Sequence, residues 1–251
     1  LFTFDSLTDL KAGYFILCAQ GDANQDKPFY IDELSIVRIY ATNLELQAVV
    51  PMPSRANMGE ETVAVVLNNT GEKDFIGEVT LSYQVNGLPP VSETLTLTDE
   101  APLASQTPYT YTFNAKADLS AKGRYTVKAM LASAEDPLPD DNAAELTTES
   151  YEALTLPFET DFSPASAGAA YIHTVNADQD DYEWILPPAQ PQAMIYGRNS
   201  GHLDDYLYTP GLKLSAGKYA VRITYAARQA SYWERLSLGA YTHFTAKEAA
   251  L

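Results

Sequence analysis

The residues whose types could form a catalytic relay stand together in one short stretch, "NSGHLDDYLYTP". Ser200, His202 and Asp204 occupy alternate positions there. A hydroxyl, an imidazole and a carboxylate are the parts of a nucleophile–base–orienter relay. Such partners normally converge from separate elements, because one extended segment cannot fold its own alternate side chains into a relay. No G-x-S-x-G elbow, H-E-x-x-H zinc pair or glycine-rich phosphate loop accompanies them. The other histidines, His173 and His243, lie apart. The single cysteine, Cys18, sits in the apolar run "YFILCAQ". It reads as a buried packing thiol, with no base in view to lower its pKa. The expectation is a protein that is not an enzyme.

Acidic residues at alternate positions raise a second chemistry, that of hard oxygen ligands for calcium. In "NADQDDYEW", Asn176, Asp178 and Asp180 match the opening of an EF-hand loop. The match fails at Asp181, where that loop needs glycine, and at Pro187, where it needs its last ligand. The segment reads better as a polar turn before a core Trp184. In "PFETDF", Glu159 and Asp161 fall on one face of a regular strand, opposite Phe158, Thr160 and Phe162. Asp204 and Asp205 either cap a turn before a strand at Tyr206 or join a cation site. "NNT" at Asn68–Thr70 is a glycosylation triplet by pattern and, more simply, a hairpin turn.

Composition narrows the classes. The 251 residues are 46 % hydrophobic and 20 % charged, which suits a folded chain of one large or two to three small domains. The formal net charge of −17 opposes nucleic acid and anionic membrane surfaces, and favours cations or cationic partners. One cysteine allows no internal disulfide. No apolar run approaches the roughly 20 residues of a membrane helix, so no membrane insertion is expected from this segment.

The elements that must position these residues are strands. "ETVAVVLNNTG" puts Val63, Val65 and Leu67 on one face before a turn at Asn68–Gly71. "EVTLSYQVNG" aligns Val79, Leu81, Tyr83 and Val85 before Asn86-Gly87, a strong hairpin signal. Period-two alternation with regular turns predicts β-sandwiches. One phrase occurs three times: "LKAGYFIL" from Leu10, "LSAKGRYTVKAML" from Leu119 and "LSAGKYAVRITY" from Leu214. It reads as a tight turn on glycine followed by a tyrosine that opens a strand. Tyr125 and Tyr219 are expected to be buried there, with Gly123 and Gly217 at positive φ or in close backbone contact. Tyr219, Val221, Ile223 and Tyr225 would share one face.

Three pieces follow: 1–43, 44–152 and 153–251. The middle piece has the size of an immunoglobulin-like sandwich. Residues 46–150 are expected to form seven strands or so and to be stable alone. The first piece is too short for a core of its own.

The third piece, from "LPFETDF" through "DDYLYTPGLKLSAGKY", resembles the first half of the cleaved-adhesin and choice-of-anchor-J jelly rolls of bacterial surface proteins, Bacteroidetes-type in particular. "FYIDELSIVRIY" in the first piece resembles the last strands of the same family. "VAVVLNNTGEKDF", "YQVNG", "GRYTVKA" and "DPLPDDNAAE" make the middle piece similar to CARDB-type adhesion modules. The resemblance implies an all-β chain: an Ig-like sandwich flanked by partial or complementary jelly-roll segments. It also implies a secreted or surface location. In related jelly rolls an acid near the first strand and the aspartate of the last strand often share a structural calcium. Here those positions are Glu159 or Asp161 and Asp32. Carbohydrate-binding jelly rolls stack exposed aromatics on sugars, which makes Tyr196, Tyr232 and Trp233 candidates; Tyr232 and Trp233 are neighbours on opposite strand faces.

On that resemblance neither jelly roll is expected to be complete, the first lacking its start and the second its end. Two arrangements are open: an excerpt from a tandem array, which is preferred, or completion of the sheet of 155–251 by residues 1–40 of the same or a neighbouring chain. In the second, Asp32 comes near Glu159 or Asp161. The expected function is a non-catalytic surface or secreted module for adhesion or binding, accessory to a catalytic domain elsewhere in the polypeptide. Its partners would be a host protein, a glycan or neighbouring domains of the same surface protein. The alternative is a carbohydrate-binding module.

Overall fold

The computed structural model describes residues 38, 40–176, 181–195, 205–226 and 236–240. The chain divides into two units, Leu1–Arg38 and Ile39–Leu251. Every strand among the described residues belongs to the second. Asp32, Cys18 and the first copy of the repeated phrase lie outside the described residues.

The fold is all-β, with an Ig-like sandwich at its centre. Its strands are β1 (Leu44–Val49), β2 (Arg55–Ala56), β3 (Glu60–Glu61), β4 (Ala64–Asn69), β5 (Gly77–Val85) and β6 (Val91–Leu97). They continue with β7 (Tyr109–Thr112), β8 (Ala117–Asp118), β9 (Gly123–Ala132) and β10 (Ala143–Tyr151). One sheet has the order β1-β4-β7 and the other β2-β10-β9-β5-β6; β3 pairs with β8 apart from both. All these pairings are antiparallel except β2 with β10. The only helical turns among the described residues are 3-10 turns at Pro139–Asp141 and Ala169–Tyr171. No helix among them is long and apolar enough to cross a membrane, which leaves β-barrel spans unaddressed.

The alternation read from the sequence is what fills the core. Val63, Val65, Leu67, Val79 and Leu81 have no exposed surface, and Tyr83 has 2 %. From the facing strands come Leu44, Leu46, Tyr125, Val127, Ala129 and Leu131. Phe113 lies edge-on to both Tyr83 and Tyr111, with centroids 4.9 and 5.3 Å apart. The hairpin between β5 and β6 turns at Asn86 (φ 50°) and Gly87 (φ 74°), the mirror-image turn whose twist matches the strands. Asn86 Oδ1 accepts from the Thr126 amide at 2.8 Å, tying the hairpin to β9.

The turn at Asn68–Gly71 is also the anchor for the segment before β1. Thr70 N donates to Asn43 O at 2.8 Å, and Lys73 N to Ala41 O at 2.8 Å. A Cβ on Gly71 would stand 2.4 Å from the Thr42 Cα, so only glycine permits this approach. Asn69, fully buried, fills every position of its amide. Its Nδ2 donates to Lys73 O (2.7 Å) and Leu103 O (3.1 Å), and its Oδ1 accepts from Gly71 N (3.1 Å) and Asn43 N (3.3 Å).

The repeated phrase has a specific structural content. At its second copy Gly123 takes φ 145°, Tyr125 is 9 % exposed, and the Tyr125 hydroxyl donates to Ala121 O at 2.7 Å, four residues back. This is a tyrosine corner at the start of a strand. At the third copy the same link is made: the Tyr219 hydroxyl donates to Ser215 O and accepts from Ser215 N at 2.8 Å. There the expected burial is overturned. Tyr219 is 48 % exposed, Val221 65 % and Tyr225 80 %, and 213–226 carry no strand pairing. Gly217 has neither a positive φ nor a close contact, its nearest neighbour standing 3.9 Å from a built Cβ. The corner forms locally within five residues, whereas burial of the strand after it needs a facing sheet.

A second polar anchor closes the β7–β8 turn. Glu93 accepts from the Tyr111 hydroxyl (2.6 Å), Asn114 N (2.9 Å) and Ala115 N (3.1 Å). Burial pushes its carboxyl up, but these hydrogen bonds outweigh it and hold the group below its usual range. The Tyr111 phenol is pushed up to about 12, chiefly by the bond to Glu93 and then by burial.

Two outcomes follow. Asn69→Ala leaves Asn43 N, Gly71 N and Lys73 O without their partner, while Leu103 O keeps the Phe75 amide, and should lower stability by about 3 kcal/mol, measured by urea unfolding of the chain. The neutral phenol of Tyr111 is favoured in the folded state, so its contribution is whole below the ordinary tyrosine pKa and is lost as pH rises toward 12. Among the late-ionising tyrosines in an ultraviolet titration, one should return toward the ordinary range in Glu93→Gln.

Candidate functional site

Of the acids proposed for calcium, the described ones occupy three different settings. Glu159 and Asp161 are both exposed, and the residues between and beside them are half-buried, as the alternation required. The expected strand is absent: 157–163 has no sheet partner. Asp161 instead closes a local turn, because a serine two residues on and another five on can both reach it. Its Oδ1 accepts from Ser163 N (2.9 Å), Ser163 Oγ (2.7 Å) and Ser166 Oγ. The Ser166 hydroxyl, then the Ser163 bonds, hold its carboxyl down at about 2.

Asp205 lies elsewhere, at the start of β12 (Asp205–Tyr208). That strand pairs antiparallel with β11 (His173–Asn176), and Asp205 stands opposite Asn176. Trp184 is half-buried rather than core, and its indole Nε1 donates to Asp205 O at 3.3 Å. Among the described residues no three His, Cys, Asp or Glu side chains gather as a metal set. Asp32, Asp178, Asp180 and Asp204 lie outside the described residues. So do the sugar-stacking candidates Tyr196, Tyr232 and Trp233, and the Ser200–His202 pair.

The densest polar construction beyond the core is one the sequence reading missed. It joins the end of β10 to the segment that follows. Tyr151 ends β10, and its ring stacks on Tyr171 with centroids 3.8 Å apart and planes 17° apart. Tyr171 OH donates to Glu149 Oε1 at 2.8 Å. Glu149 N in turn donates to Ser54 Oγ at 3.0 Å, and Ser54 O lies 2.6 Å from His173 Nε2. Burial, chiefly, raises the Tyr151 pKa; for Tyr171 the bond to Glu149 is the main cause.

The backbone continues the clamp. Gly211 N donates to Tyr151 OH at 2.9 Å. Gly211 O accepts from Leu154 N at 2.9 Å, and Leu154 O from Lys213 N at 2.8 Å. A Cβ on Gly211 would stand 2.4 Å from the Ala56 Cβ. In the sequence "TPGLKLS" that glycine reads as a turn signal. Its actual reason is close approach to β2, which no local pattern carries.

This arrangement offers rigidity and a fixed surface: two stacked phenols, each hydrogen-bonded, between a sandwich and the segment after it. No protein-family model and no curated protein matches the chain. Among solved structures it is similar to a β-glucosidase from Listeria innocua in complex with glucose. The identity is 16 %, over 44 % of this chain and 16 % of that one, with a TM-score of 0.26. The chain thus spans about a sixth of that structure's length. A superoxide reductase (neelaredoxin) from Ignicoccus hospitalis is also similar, at 16 % identity over 44 % of this chain and 81 % of that one, with a TM-score of 0.22. Likeness of this degree transfers no activity.

Gly211→Ala should loosen the junction, since the added methyl meets Ala56 in packed surroundings; overpacking of this kind costs about 1–3 kcal/mol. Limited proteolysis is the check. Cleavage between Tyr151 and Pro157 should accelerate in the variant while the sandwich itself stays resistant.

Proposed function

We propose that this chain is a non-catalytic adhesion and presentation module of a secreted or bacterial surface protein, with β-modules coupled end to end. The observation that supports the reading is the Tyr151–Tyr171 junction. A freely hinged linker would leave backbone donors to water. Here Tyr151 OH, Glu149 and Ser54 are all engaged by residues of the next segment. Such coupling holds one binding surface at a fixed angle to the next, which suits a module that displays rather than transforms. The net charge of −17 adds solubility and selects against anionic surfaces. In this reading the segment after Leu154 belongs to a cleaved-adhesin or choice-of-anchor-J-type jelly roll, and the sandwich is a CARDB-like spacer.

The test is direct binding. The chain, immobilised, is presented with extracellular-matrix proteins and with a glycan array. Saturable binding to a protein or glycan class, weakened by Gly211→Ala through loss of the fixed angle, supports the module reading. Folded chain with no saturable binding to either overturns it.

A further inference from the structure

The loop between β9 and β10 carries an oxygen cluster distinct from the acids considered above. It runs Asp136–Asn142, contains the 3-10 turn at Pro139–Asp141, and packs on the residues that open β1. Leu44 N donates to Asp136 Oδ1 at 3.3 Å, and Leu138 N to the same oxygen at 3.4 Å. Asn142 Nδ2 donates to Asp136 Oδ2. Asn43 Nδ2 donates to Asp141 Oδ2 at 3.1 Å and to Thr70 Oγ1 at 2.8 Å.

Three buried oxygens of the same cluster receive none: Asn43 Oδ1, Asp141 Oδ1 and Asn142 Oδ1. Asn43 is 4 % exposed and Asn142 5 %. Rotating either amide is no remedy, because it would set an amide oxygen against a carboxylate that now accepts its N–H. No basic side chain forms an ion pair with Asp136, Asp140 or Asp141 among the described residues. A buried carboxylate oxygen and two buried amide oxygens without a donor are costly. Carboxylate and amide oxygens are also the ligands that calcium takes, in flexible geometry, where magnesium demands a strict octahedron.

We propose that the Asp136–Asn142 loop and Asn43 bind a calcium ion through Asp141 Oδ1, Asn142 Oδ1 and Asn43 Oδ1. Asp136 positions Asn142, and Thr70 positions Asn43. With one charged ligand the site is a weak one, in the range of about 10⁻⁴–10⁻³ M found for extracellular modules. Binding would fasten the β9–β10 loop to the start of β1.

The experiment uses the whole chain, with melting followed in calcium chloride, magnesium chloride and EDTA, and calcium binding measured by calorimetry. Calcium at about ten times Kd should raise Tm by about 5 °C, and magnesium far less. Asp141→Asn, nearly isosteric, should weaken calcium binding at least about tenfold. Asn142→Asp should tighten it while lowering Tm in EDTA. Asp161→Asn, in the following segment, should leave the calcium response unchanged. Folded chain without a calcium-dependent shift overturns the proposal. So does a shift that survives Asp141→Asn, or a crystal structure at millimolar calcium with only water on these oxygens. If Asp141→Asn fails to fold, the Asn142→Asp response decides by its sign. None of these results bears on host or glycan binding, so this proposal and the adhesive reading stand or fall separately.

Discussion

The amide of Asn69 is the constraint on which the sandwich depends. It sits where β4 ends and the chain must turn, inside the protein, with no water to serve the turn's backbone. One side chain answers two carbonyls and two amides, drawn from the pre-β1 segment, the turn itself, the 73 position and the crossing at Leu103. The contacts around it depend on one another: the glycine at 71 is required because Thr42 has been pulled close, and Thr42 is close because Asn43 is bonded to this turn. A buried polar group with every valence used specifies one arrangement and penalises others, since each alternative leaves some partner unpaired.

The sequence made the sandwich legible because its strands carry their own period. Val63, Val65 and Leu67, or Val79, Leu81 and Tyr83, declare a face without reference to a partner. Asn86-Gly87 declares its turn for a similarly local reason, the left-handed conformation that both residues tolerate. Tyr219 to Tyr225 shows the limit. The alternation there is as regular as at Tyr125, yet those side chains stand exposed. A period assigns a side chain to a face; only a second sheet converts that face into a core.

The candidate sites were less legible for a related reason. Asp161 reads as a strand residue because its neighbours alternate, and the alternation in exposure is present. Two serines within five residues offered a closer bond than any sheet partner. Gly211, Tyr151 and Tyr171 are separated by up to sixty positions, and nothing in one predicts the others. The oxygen cluster at Asn43, Asp141 and Asn142 likewise joins ends of the sandwich that are about a hundred residues apart in sequence.

The parallel pairing of β2 with β10 has a mechanical meaning. Ser150 and Tyr151 lie beside Arg55 and Ala56, and Asn57 N reaches Tyr151 O at 3.0 Å. One of these strands stands near the sandwich's beginning and the other at its end, and they run in the same direction. Tension carried along the backbone therefore draws them past each other lengthwise. The bonds between them are loaded together in shear instead of opening one after another like a zipper. Resistance to forced unfolding is set by the rate at which such a set breaks, not by equilibrium stability. A load entering from the C-terminal side thus meets this two-residue pairing at the end of β10, whereas one from the N-terminal side meets β1 first.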